Sequence, residues 1–158
     1  MKTKILFITA LFMFGLLNIQ AQGSDMFEKL SNMDDVTTVY VSKSLLRMMP
    51  DIDTGGANIK GLANKLDQVE IYTTNGNKEA NKLARKEVEA LTKSKTYETL
   101  MKVKDGGDNI TFYAHKEKEH FKDLIMFINE PDECTIIRIM GTFTAEDIQK
   151  VMDGNKDK

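Results

Sequence analysis

The sequence has very little of several residue types on which small proteins rely for stability or chemistry. Of its 158 residues, one is cysteine, two are histidine, two are proline and none is tryptophan. A single cysteine excludes an internal disulfide, so the fold must depend on a packed hydrophobic core. Zinc sites need three or four converging ligands, and no paired-ligand motif accompanies the two histidines. We therefore expect no metal and no other cofactor.

The sequence also lacks an excess of basic charge. It has 22 lysine and arginine residues against 24 aspartate and glutamate residues, a formal net charge of −2 at pH 7. Proteins that bind nucleic acid present a clustered basic surface that neutralises phosphates. The charge balance therefore argues against a nucleic-acid partner.

No apolar run is long enough to span a membrane. The longest is the 13-residue stretch Ile5–Leu17, which follows two lysines and precedes Asn18–Ala21, whereas a membrane-spanning helix needs about 20 residues. This order is typical of a secretory signal peptide. We predict cleavage after Ala21, with no cysteine nearby for a lipid anchor. An uncleaved anchor is the alternative, and the short length disfavours it. The remainder, 22–158, is expected to be a single domain exported to the periplasm, cell surface or medium without stable membrane insertion.

The second half of the chain has the alternation of β-strands. In Ile110–His115 apolar and polar residues alternate, and Leu124–Ile128 is apolar at every position, as in a central strand covered on both faces or a strand with a ligand-binding face. The connections between the strands are too short for parallel crossovers. They include Asp105–Asn109 and a charged loop predicted over Lys116–His120.

Before this meander the sequence predicts the element order α, β, α, α, β, α. The second of the two consecutive short helices is predicted from the spacing of Ile59, Leu62, Ala63 and Leu66, and the longest helix over Lys78–Lys93. A last helix begins after Thr144, a favourable N-cap, and a frayed tail follows it. The predicted fold is α+β: a mostly antiparallel sheet of five or six strands with a C-terminal strand meander and helices on at least one face.

Three candidate sites follow from residue types that bind metals or react. Asp51-x-Asp53-x-Gly55-Gly56 resembles the start of a calcium loop, but ligands are missing at positions 5 and 12, which favours a flexible acidic loop. His115 and His120 flank the charged loop, and exposed turn residues are the expected assignment. Cys134 lies in an apolar strand, which favours a buried, inert thiol over a cross-linking one.

Methionine is unusually frequent after the predicted signal peptide. Eight methionines fall mostly on predicted apolar faces, and filling of irregular gaps in the core is the favoured explanation. The alternative is an adaptable hydrophobic groove near Arg47-Met48-Met49-Pro50. Met48 and Met49 are the candidate partner contacts. Because they are adjacent on a helix, we expect one to lie in the core and the other to contact a partner.

Several short motifs carry a resemblance to a known family. They are Val39-Tyr40-Val41-Ser42-Lys43, Arg47-Met48-Met49-Pro50, Lys65-Leu66-Asp67, Glu130-Pro131-Asp132-Glu133 and Gly141-Thr142-Phe143-Thr144. Together they resemble a domain-of-unknown-function family of small exported Bacteroidota proteins, over nearly all of the chain after the signal peptide. The resemblance implies a periplasmic or cell-surface location and no activity. Many members look like lipoproteins, whereas this sequence lacks the anchoring cysteine.

Two functions remain open at this point. The first is a non-enzymatic envelope module that binds a protein, a peptide or an apolar ligand. The alternative is a hydrolase or metal-dependent enzyme that uses loop carboxylates and His115 or His120. A cleft that gathers titratable groups would favour the enzyme, and an apolar groove without them would favour binding.

Overall fold

In the part of the chain that the structure describes, six β-strands form one sheet in which every neighbouring pair is antiparallel. The structure is a computed structural model, and it describes residues 27–48, 62 and 64–153. The strands lie in the order β1-β2-β6-β5-β4-β3. Their bounds are β1 Thr37–Ser42, β2 Leu66–Thr73, β3 Tyr97–Asp105, β4 Asp108–Glu117, β5 His120–Asn129 and β6 Cys134–Phe143. The predicted α+β fold with a mostly antiparallel sheet and a C-terminal meander is confirmed.

The meander β3–β6 has tighter turns than the sequence predicts. The turn between β3 and β4 contains Gly106 at φ +58°, a backbone conformation that glycine adopts without strain. The predicted loop over Lys116–His120 is too long, because β4 runs to Glu117 and β5 begins at His120. Charged side chains at these strand ends are exposed to solvent, so a polar sequence did not require an end to pairing.

Four helices accompany the sheet in the part of the chain that the structure describes. They are α1 Glu28–Ser31, α2 Lys43–Met48, α3 Lys78–Lys93 and α4 Ala145–Asp153. The predicted bounds of α3 are confirmed, and Asn77 caps it by accepting a hydrogen bond from the Ala80 N–H. The short helix predicted to end near Leu66 is wrong at that end, since Leu66 begins β2; Ile59 and Ala63 lie outside the described residues. None of these helices combines the length and the apolar character needed to cross a membrane.

Two hydrophobic clusters cover the two faces of the sheet. The first joins Leu46 of α2 and Ile148 of α4 to strand residues such as Leu124. The second joins Leu30 of α1 and Val88 of α3 to strand residues such as Ile125. Adjacent residues of β5 therefore enter opposite cores, as alternation along a strand requires. The prediction that Leu124–Ile128 forms a central, doubly covered strand is confirmed.

The pairing of β2 with β6 requires glycine at position 141. A Cβ atom there would lie 2.2 Å from the Lys65 carbonyl oxygen. That oxygen accepts a hydrogen bond from the Thr142 N–H at 3.0 Å, and the register shifts between Leu66 and Gln68. This close backbone approach shapes the end of the sheet at which the candidate site lies.

Candidate functional site

A polar groove opens on the α1–α3 face of the sheet, where α3 ends. Its volume is about 860 Å³. The floor is one row of residues paired across five strands: Gln68, Met140, Asp123, His115 and Tyr97. Side chains at paired positions share a face of the sheet, so strands distant in sequence bring these five groups together. We call this site the polar groove.

A buried ion-pair network lies at the floor of the polar groove. Arg138 is 3% exposed and donates to Asp123 Oδ2 from Nε at 2.8 Å and from Nη2 at 2.6 Å. Its Nη1 lies 3.5 Å from Glu70 Oε2. Glu70 also accepts hydrogen bonds from Tyr72 Oη at 3.0 Å and from Gln68 Nε2. Buried charges need such paired and hydrogen-bonded surroundings.

Burial and charge within the network raise the pKa values of Tyr97 and Arg138. Burial raises the pKa of the Tyr97 phenol well above its ordinary value, and the negative charge of Asp123 and the hydrogen bond to it add to the rise. Burial acts to lower the pKa of Arg138, but the hydrogen bonds and charge of Asp123, with the charge of Glu70, raise it overall. Tyr97 therefore remains protonated and Arg138 charged near neutral pH.

Asp123 uses only one of its two carboxylate oxygens within this network. Oδ2 accepts the two hydrogen bonds from Arg138 and a third from Tyr97 Oη at 2.8 Å. Oδ1 is buried and has no hydrogen-bond partner in the described part of the chain. A buried acceptor without a donor is unfavourable, so a hydrogen-bond donor placed at this oxygen would stabilise the network.

The candidate site residues predicted from the sequence do not come together in one site of the described structure. Met48 is 73% exposed on α2, whereas Met49 and the acidic loop with Asp51, Asp53 and Gly55 lie outside the described residues. His115 is partly buried in β4 with its ring centroid 5.6 Å from that of Tyr97, so the expectation of an exposed turn residue is wrong for it.

His120 and Cys134 carry no candidate site in the structure. His120 is exposed at the start of β5, and in residues 27–48, 62 and 64–153 no three histidine, cysteine or acidic side chains could together hold a metal ion. Cys134 is a free, buried cysteine, and burial raises the pKa of its thiol above the ordinary value. The predicted burial of Cys134 is confirmed, and a raised pKa disfavours the reactive thiolate.

The comparison with protein families identifies a family for most of the chain. Residues 27–151 match the family described as Domain of unknown function (DUF4252). The chain belongs to that family. The predicted membership of a domain-of-unknown-function family is therefore confirmed. Among the curated proteins and among the solved structures, no match was found.

The polar groove of this DUF4252 member was missed by reasoning from the sequence. One signal was available: Arg138 lies on the same strand face as Cys134 and Ile136 and is the single charge in a mostly apolar strand. A charge at an inward position needs a buried partner. No local pattern distinguishes Asp123 and Glu70 from the other acidic residues among the 24 in the sequence.

The edge strand β1 is a second candidate surface. It pairs only with β2 among the described strands, and its sequence Thr37–Ser42 has no charge. Val39 and Tyr40 are exposed at 42% and 61%, and Leu45 and Met48 are exposed on the adjoining α2. We call the outer edge of β1 together with α2 the β1–α2 edge.

Proposed function

We propose that this DUF4252 member is an exported binding module without catalytic activity, and that it engages a protein partner through the β1–α2 edge. The observation that carries the proposal is the open, uncharged edge of β1. The partner contributes an extended segment that hydrogen-bonds to β1 as a further strand. This mode of recognition uses main-chain hydrogen bonds for affinity and side-chain pockets for specificity.

The two edges of the sheet differ in the way that the proposal requires. Natural proteins protect a sheet edge with charged residues, because unpaired N–H and C=O groups recruit other strands. The β3 edge has this protection in Glu98, Lys102 and Lys104, which are all exposed. The β1 edge has none, and its β-branched residues favour strand pairing. The contrast supports β1 as the edge that accepts a partner.

Exposed apolar side chains would strengthen such a contact. Val39 and Tyr40 extend to opposite faces of β1, so a paired segment would meet one of them on each side. Met48 adds a flexible, polarizable side chain that adapts to different partners. Met49 stays a candidate contact by its sequence position beside Met48.

The proposed location rests on the N-terminal sequence. Lysines, a 13-residue apolar run and a short polar segment ending at Ala21 have the order of a cleaved signal peptide. The module would therefore meet its partner in the periplasm, at the cell surface or outside the cell.

A hydrolase is the second candidate, because the polar groove places His115 opposite Asp123 in the β4–β5 register. A catalytic histidine needs an orienting carboxylate, and this pair supplies the two residue types. Binding is favoured because Tyr97 and Arg138 have pKa values shifted away from neutrality, opposite to the tuning of general acids and bases. Turnover of ester or peptide substrates that is lost in His115→Gln would favour the hydrolase.

The β1–α2 edge is tested by site-specific photo-cross-linking in cells. A photoreactive phenylalanine analogue replaces Tyr40 in one variant and Val103, exposed on the opposite edge, in a matched control. We expect one adduct of discrete mass from position 40 and none from position 103. Val39→Lys, which adds an edge charge, should abolish the adduct without unfolding the protein.

The proposal also predicts where the purified partner protects the chain. After the cross-linked protein is identified and produced separately, amide hydrogen exchange should slow in β1 and not in β3. Equal adducts at both positions, or an adduct that persists in Val39→Lys, would contradict the proposal. An adduct with twice the mass of the chain would show that the protein cross-linked at this edge is a second copy of the same chain, which would contradict a different protein as the partner.

A further inference from the structure

We infer that the polar groove is a binding site for a ligand with a protonated amine, which donates a hydrogen bond to Asp123 Oδ1. This site adjoins the β1–α2 edge at Asp67 and Gln68 but does not depend on the partner proposed there. The inference combines an unpartnered buried oxygen, an uncompensated buried charge and a groove of ligand size.

The unpartnered oxygen identifies a hydrogen-bond donor as the missing group. Asp123 is 5% exposed and lines the polar groove. Arg138 and Tyr97 supply three donors to Oδ2, which fix the orientation of the carboxylate. Oδ1 has none among the described residues, and a carboxylate oxygen accepts hydrogen bonds only. A ligand donor at this point would complete the network, and because Oδ1 is buried, the side chains around it must shift to admit the donor.

The charge of the network identifies the donor as a cation. Glu70 and Asp123 contribute two negative charges, and Arg138 contributes one positive charge. The raised pKa values of Tyr72 and Tyr97 keep both phenols neutral. Within the buried network one negative charge is therefore left over. Lys122, which also lines the groove, is only partly buried and donates to Thr142. Burial of an uncompensated charge is costly. A protonated amine supplies both the donor and the compensating charge, whereas a hydroxyl or amide supplies only the donor.

The walls of the polar groove suit an amine that carries an organic body. Ligand pockets commonly measure about 300–1,000 Å³, and this groove lies within that range at about 860 Å³. Leu91 and the ring pair of Tyr97 and His115 provide apolar and aromatic surface, and aromatic faces attract ammonium groups. Lys122 also lines the groove, and its Nζ lies 3.0 Å from Thr142 Oγ1.

The rim adds negative charge at the entrance. Asp67 and Glu117 line the groove, and Asp67 of β2 pairs with Lys43 of α2. Glu117 is exposed at the end of β4. Exposed charges of this kind steer a cation and add little affinity, which makes Glu117 a suitable control position.

The inference is tested with the chain from residue 22 and three small probes of similar size: propylammonium, 1-propanol and propionate. Binding is followed through the backbone amide signals of β4 and β5 in NMR titrations. We expect propylammonium to shift the signals around His115 and Asp123 and to bind at least about tenfold more tightly than 1-propanol. Propionate should bind more weakly than propylammonium and should not produce the same shifts.

Asp123→Asn is the decisive variant. Its amide oxygen can keep the hydrogen bonds from Arg138 and Tyr97, while its NH₂ group takes the place of Oδ1. The unpartnered acceptor becomes a donor and the excess negative charge is lost. We expect propylammonium affinity to fall about tenfold or more. Glu117→Gln, which removes the same charge from the rim, should change affinity less than about threefold.

A second variant keeps the test independent of changes in the buried network. Ser94→Trp places a bulky side chain at the exposed end of α3, where Ser94 lines the groove, and it should block propylammonium while the fold is retained. Unchanged propylammonium binding in Asp123→Asn or Ser94→Trp would overturn the inference. The absence of shifts in the wild-type protein would also overturn the inference, and a water molecule would then be the donor to Oδ1. Val39→Lys should leave this binding unaffected.

Discussion

At the residue scale, two side chains of α2 that lie two positions apart separate core from surface. Leu46 is 1% exposed within the first hydrophobic cluster, and Met48 is 73% exposed. Leu46→Ala should lower the free energy of unfolding by about 2–5 kcal/mol, because it leaves a cavity. Met48→Ala should lower it by less than about 0.5 kcal/mol. Urea denaturation midpoints of the two variants provide the comparison.

The same pair distinguishes stability from partner binding. If Met48 contacts the partner, Met48→Ala should weaken the complex while the urea midpoint stays at the wild-type value. Leu46→Ala should bind normally in proportion to its folded fraction. A large loss of stability in Met48→Ala would show that Met48 stabilises the fold, and would contradict its assignment as a partner contact on the β1–α2 edge.

At the element scale, α4 is attached to the sheet by its first turn. Thr144 and Asp147 form a capping box: the Thr144 N–H donates to Asp147 Oδ2 at 2.9 Å, and the Asp147 N–H lies 3.3 Å from Thr144 Oγ1. Lys65 Nζ, just before β2, donates to both oxygens of Asp147 at 2.7 Å. The cap predicted at Thr144 is confirmed, and the link to Lys65 joins α4 to the start of β2.

This cap predicts a pH dependence of stability. The hydrogen bonds from Lys65 and from the Thr144 backbone lower the pKa of Asp147 from 3.8 to about 2. A group whose pKa is lower in the folded state stabilises the fold above its unfolded pKa and loses this effect as the pH falls. Asp147→Asn should therefore be less stable than wild type at pH 7. The difference should shrink as the pH falls from about 4 towards 2.

Urea unfolding at several pH values measures this difference, with Asp108→Asn as the control. Asp108 is exposed at the start of β4, so its variant should follow the wild-type profile. Thr144→Ala should cost about 1 kcal/mol through the lost cap. A constant difference between wild type and Asp147→Asn over this pH range would show that the carboxylate charge has no part in the cap.

At the scale of the whole molecule, the N-terminal sequence predicts removal of a signal peptide. We expect the protein purified from its native cell to begin at Gln22, because the apolar run Ile5–Leu17 is shorter than a membrane span. Intact mass and N-terminal sequencing check the cleavage site. The processed protein should partition into the aqueous phase of a detergent extraction. Recovery of chains with Met1 intact in the membrane fraction would contradict cleavage.

The sequence by itself determined the local elements and the fold class. Alternation in Ile110–His115, the continuous apolar run Leu124–Ile128 and the spacing within Lys78–Lys93 each depend on residues close together in the chain. Such periodicity reflects which side of a strand or helix meets the core. The N-cap at Thr144 depends on a contact only three residues away. The antiparallel meander and the order of the described elements, apart from the short helix predicted to end near Leu66, could be predicted for this reason.

The tertiary structure alone decided the strand order and the polar groove. Leu66 is extended because β2 pairs with β6, more than 60 residues away in the chain, and this pairing overrides a local helical spacing. The groove floor joins Gln68, Asp123 and Tyr97 from three separate strands. No local pattern marks such a set, because its members become neighbours only when long-range strand pairing fixes the register.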